Sequence, residues 1–78
     1  MKQTTKLEAL KVLNGLTKTH QIADSDANSL LGYVKEGKAT EALDRTELLF
    51  SLTKSKGLLR LKDIFNADLT ERKGQDNG

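Results

Sequence analysis

A chain of 78 residues with no cysteine and one histidine is a single small domain that no disulfide, thiolate metal site or histidine-rich metal cluster can hold together. Thirteen basic against eleven acidic residues leave a net charge of +2, too little by itself to argue for nucleic acid. A domain this small buries only about 60% of the surface its unfolded chain exposes, so the staple still open is a second subunit, and a homodimer is expected.

The basic residues Lys2 and Lys6 resemble the start of a signal peptide, but Lys11 and Asn14 interrupt any apolar run behind them. No segment approaches the roughly 20 apolar residues that cross a bilayer. The expectation is a cytoplasmic protein that makes no membrane contact.

With no proline and with fourteen leucines, the chain favours helix throughout. Helix is predicted first over 5–19. Thr4 or Thr5 would cap it, Glu8 would complete a capping box, and Ala9, Leu10, Val12, Leu13 and Leu16 form its apolar face, with Leu7 off the edge. Residues 20–24 read as a connection. A second helix over 25–36 is capped by Asp24 or Ser25, with Asp26 at its positive end. Its face is Ala27, Leu30, Leu31 and Val34 at i, i+3, i+4, i+7, and Gly37 ends it.

The third helix, 40–55, starts on Thr40. Ala42, Leu43, Leu49 and Phe50 make its stripe, Leu48 and Leu52 broaden it, and Thr46 and Thr53 weaken it. Gly57 is predicted to break the chain there, since glycine costs about 1 kcal/mol relative to alanine inside a helix. A fourth segment over 58–66 carries Leu58, Leu61, Ile64 and Phe65. Residues 68–78 hold one apolar side chain, Leu69, and read as a disordered polar tail.

The fold class is therefore all-α: a small bundle of three to four short helices over 1–67, paired as a homodimer. Helices two and three form an αα-hairpin, and the first packs across it. The expected core or dimer face is Leu13, Leu16, Leu30, Leu31, Val34, Leu43, Leu49, Phe50, Leu61, Ile64 and Phe65. Charge is uneven along the chain. Residues 1–20 hold four lysines against Glu8, and residues 21–53 hold Lys35, Lys38 and Arg45 against six carboxylates. The last segment, 54–78, is basic again.

Constellations of chemical interest are few. Gly32 to Lys38 has the glycine and lysine spacing of a phosphate loop, but Ala39 stands where magnesium needs a hydroxyl, and no buried strand precedes it. His20, with Asp24 four residues on, lacks the placed nucleophile and oxyanion donors of a hydrolytic site. The paired carboxylates Asp24 and Asp26, and Glu41, Asp44 and Glu47, sit at helix starts or on polar faces, where the helix dipole accounts for them. The one cationic cluster is Lys54, Lys56, Arg60 and Lys62 around Gly57, a candidate contact for phosphates or an acidic partner. No aromatic residue interleaves it to stack on bases. A helix-turn-helix aligned on Gly37 puts Tyr33 where a small residue belongs, and one aligned on Gly57 puts Asp63 at a buried slot.

These readings converge on a protein that binds rather than catalyses and needs no cofactor. The expected function is a protein-binding regulator or inhibitor, of the small helical kind phages and plasmids make against a host or regulatory protein. A DNA-binding or nucleoid-associated regulator using the basic cluster is the alternative.

Overall fold

The structure, a computed structural model, describes residues 1–76, with side chains as far as Glu71; Asn77 and Gly78 lie outside the described residues. Four helices follow one another: α1 (Gln3–Lys18), α2 (Asp24–Glu36), α3 (Ala39–Thr53) and α4 (Lys56–Asp76). Each packs on its two neighbours in the cycle α1, α2, α3, α4 and back to α1.

The directions of the helices follow from which residues meet. Thr5 near the start of α1 bonds Asp68 late in α4, whereas Leu16 near the end of α1 packs on Gly57 at the start of α4. These two helices are therefore antiparallel. The α1–α2 and α3–α4 connections share one end, where the Ser55 hydroxyl donates to the Gln21 side-chain carbonyl and the Gln21 amide donates to Thr19 Oγ1 (2.8 Å). Met1 lies beside Gly37 at the opposite end. The result is an up-down-up-down bundle with short loops. Its longest dimension, 41 Å, reflects α4, whose 21 residues span about 31 Å at 1.5 Å each.

Three helix ends use the left-handed conformation. Gly37 (φ 74°) closes α2 with a Schellman pair: its own N–H reaches Val34 C=O, and that of Lys38 reaches Tyr33 C=O at 2.9 Å. The same pair ends α1, but with His20 (φ 57°) in the glycine position and Gln21 N–H on Leu16 C=O. Lys54 (φ 57°) ends α3 with a single bond to Phe50 C=O.

The apolar core is built from every helix: Ala9, Leu13 and Leu16; Ala27, Leu30 and Val34; Ala42 and Leu49; Leu58, Leu61 and Phe65. Ile22, in the first connection, is buried with them and plugs that end of the bundle. Leu31, Leu43, Phe50 and Ile64 are half-buried and pack against this centre. Leu48 and Leu52, read from the sequence as broadening the third stripe, are instead exposed, because α3 turns Thr46 inward. Thr46 satisfies its hydroxyl within its own helix, on Ala42 C=O at 2.7 Å.

Four further sequence expectations are corrected. The break between the last helices falls at Lys54 and Ser55, ahead of Gly57, which lies inside the first turn of α4. A left-handed Lys54 stops α3, and Thr53 Oγ1 folds back onto Leu49 C=O while accepting the Ser55 N–H. The local N-caps are absent: α1, α2 and α3 start after Lys2, Ala23 and Lys38, with no side-chain cap at any of them. The tail expected from residue 68 is instead the continuation of α4 to Asp76, with Asp68 buried and Leu69 half-buried. With 21 residues, that helix is not short.

The reason for the last two departures is one contact. Asp68 Oδ1 accepts the Lys2 backbone N–H (2.9 Å) and the Thr5 hydroxyl (2.9 Å), while the Lys2 ammonium pairs with Glu71 one turn further on. The start of α1 is therefore capped from α4. A carboxylate at a helix N-terminus is favoured by the free amides and the dipole alike.

Candidate functional site

The four cations singled out in the sequence do not form one patch. Lys56 and Arg60, one turn apart, flank a shallow groove between α1 and α4, together with Leu59 and Ile64. Glu8 and Asp63 line the same groove, so carboxylates dilute its positive charge. Lys62 lies roughly half a helix circumference away from Arg60, since each residue turns the helix by about 100°. Lys54 sits in the α3–α4 connection with its ammonium 5.6 Å from the centre of the Phe50 ring, a cation–π distance. The cluster is close in sequence and dispersed in space.

The other sequence candidates have structural occupations. His20 is exposed and ends α1 in the left-handed region. Gly32 lies in the body of α2, so the spacing from Gly32 to Lys38 covers a helix end rather than a phosphate-cradling loop. Among the described residues, no three His, Asp or Glu side chains gather where they could hold a metal ion. Among the same residues, no helix is long and apolar enough to cross a membrane.

Besides a small cleft of about 170 Å³ beside Thr5 and Asp68, two larger concave surfaces remain. The cleft between α1 and α2, about 510 Å³, has a floor of Leu10, Leu13, Ala27 and Leu31 under a rim of Asn14, Thr17, Asp24 and Asn28. The second, about 320 Å³, lies between α2 and α3, lined by Tyr33, Glu41, Asp44, Arg45 and Leu48. Leu52 lies one turn beyond Leu48 and so on the same face of α3, outside the concavity itself.

That face carries the two most exposed large apolar side chains among the described residues. Leu48 is 52% exposed and Leu52 73%, the latter more than any other large apolar side chain described. Isolated exposed leucines are ordinary on a protein surface. Two adjacent ones at i, i+4, beside a half-buried tyrosine, form a contiguous patch, the arrangement that marks contact surfaces. The sequence placed these leucines on an apolar stripe, as residues that broaden it, and left them out of the expected core. The signal that would have separated them is Thr46: a β-branched hydroxyl residue can satisfy itself in the helix, so it can be the inward residue while both leucines point out.

Comparison with protein-family models, with curated proteins and with solved structures yields no match to this chain.

Proposed function

We propose that this chain is a non-enzymatic protein-binding regulator or inhibitor, and that it engages its partner through the outer face of α3. The observation carrying this reading is the exposure of Leu48 and Leu52 next to the Tyr33 concavity. An apolar side chain moved from water into an interface gains about 25 cal/mol per Å². A patch of this kind thus favours association, provided the gain exceeds the cost of ordering two molecules.

The double variant Leu48→Ser, Leu52→Ser tests it. Affinity capture from cells that naturally make this chain should recover a protein partner with the wild type and lose it with the variant, while the melting temperature barely moves. A partner retained by the variant would place the interface elsewhere.

The same leucines would serve pairing with a second copy, the homodimer the sequence suggests. Sizing separates the two: a dimer mass for the wild type that falls to the monomer in the double variant assigns the face to self-association.

DNA binding draws less support, because Lys56 and Arg60 share their groove with Glu8 and Asp63. Titration with duplex DNA at low salt, where phosphate contacts are strongest, should show no saturable binding.

A further inference from the structure

We infer that the α2–α3 side of the bundle takes a basic amphipathic helix from its protein partner. This rests on the protein-binding reading and adds the chemistry of what is bound.

The first observation is how the fold sorts charge. The chain has basic ends and an acidic middle, and the ring of helices puts its ends together on one side and its middle on the other. On α2, α3 and the turn between them, Lys35, Lys38 and Arg45 stand against Asp24, Asp26, Glu36, Glu41, Asp44 and Glu47, a net −3. On α1 and on α4 as far as Glu71, Lys6, Lys11, Lys18, Lys56, Arg60 and Lys62 stand against Glu8, Asp63, Asp68 and Glu71, a net +2. A molecule with net charge +2 thus carries its most exposed leucines on its negative side.

The second observation is the local layout. Glu41 and Asp44 line the concavity with Leu48, are exposed, and join no ion pair among the described side chains; Arg45 lines it too, so the lining is net negative by one charge. Leu48 and Leu52 continue from it along the α3 axis. An amphipathic helix lying in such a groove offers apolar anchors every three or four residues, with cations at its margins to meet the carboxylates. A second copy fits less well. Symmetric pairing would set one −3 side on another, and stacking the acidic side on the basic side of the next molecule is heterologous and does not close on itself.

The test uses the full chain and two short amphipathic peptides without aromatic residues, sharing one leucine pattern and differing only in lysine or glutamate at the polar positions. Tyr33 is the only tyrosine and there is no tryptophan, so tyrosine emission reports directly from the concavity. The lysine peptide is expected to shift that emission saturably, and its glutamate twin to leave it unchanged. Affinity should fall at least about tenfold, roughly 1.4 kcal/mol, in Glu41→Lys, Asp44→Lys and likewise in Leu48→Ser, Leu52→Ser. Equal binding of both peptides, no binding of either, or full affinity in the charge-reversed variant overturns the proposal, as does a mass that grows with concentration without peptide. If both peptides bind equally and only the leucine variant loses them, the partner's basic character falls while the protein-binding reading stands.

Discussion

At the scale of single residues, Gly57 shows how a position can be noticed for the wrong reason. A Cβ built on it would lie 2.5 Å from Leu16 Cδ2 and 3.2 Å from Leu16 Cγ. Leu16 is buried and has little room to turn away. Helix propensity alone would make Gly57→Ala favourable by about 1 kcal/mol, but overpacking a well-filled core costs about 1–3 kcal/mol. The clash is expected to win, and denaturant melts of Gly57→Ala should show a net loss of stability. His20 and Lys54 present the converse case. Each holds a left-handed backbone, a conformation worth about 1–2 kcal/mol of strain for a residue with a Cβ. His20→Gly should therefore stabilise by up to about 1 kcal/mol, after the greater freedom glycine gives the unfolded chain is subtracted. Lys54→Gly should gain less, because it also gives up the contact with the Phe50 ring.

Neighbouring leucines separate in the same way. Leu30 is fully buried and Leu31 is not. Leu30→Ala should cost about 2–5 kcal/mol by leaving a cavity. Leu31→Ala should cost clearly less, since water or a shift of side chains can fill its place at the α1–α2 cleft. Thermal melts of the pair check the ranking, and equal losses would mean the face of α2 is rotated from the one described.

At the scale of elements, α1 and α4 depend on each other at their far ends. Asp68 is 1% exposed, and burying a carboxylate is costly unless it is well bonded. Here it receives the Lys2 N–H and the Thr5 hydroxyl. A hydrogen bond to a charged group contributes about 1.5–3 kcal/mol, and Asp68→Ala recovers part of the desolvation cost, so the net loss is expected at about 1–3 kcal/mol. Hydrogen exchange gives a more specific readout than melting. The first amides of α1 should lose protection in Asp68→Ala while those of α2 and α3 change little. Uniform loss across the bundle would show that Asp68 acts on the core rather than as a cap.

At the scale of the whole molecule, the order of charges along the chain becomes a polarity of the fold. Pairing α1 with α4 and α2 with α3 separates basic from acidic sides, and the cations near Gly57 are dispersed, with Lys56 and Arg60 sharing their groove with Glu8 and Asp63. The distribution of leucines follows the same division of labour. Six of the fourteen are buried, and Leu48 and Leu52 remain together outside. Because the core already holds a side chain from every helix, stripping these two outer leucines should alter binding far more than stability, which is what the paired melting and capture experiments compare.

What could be read without coordinates was local. Apolar residues at three- and four-residue spacing determine four helices, Gly37 marks the end of α2 because only a residue tolerant of positive φ closes a Schellman turn cheaply, and Leu13, Leu16, Leu30, Val34, Leu49, Leu61 and Phe65 belong to the centre. What the tertiary structure decided was every question in which two distant segments compete for one place. Leu16 claims the space beside Gly57, Asp68 supplies the cap that Thr5 does not, and Thr46 goes inward so that Leu48 and Leu52 go out. A periodic stripe specifies that a helix has an apolar side; how far around the helix that side is covered depends on where the neighbours sit, and here α2 and α4 cover the inner side of α3 while Leu48 and Leu52 lie outside it.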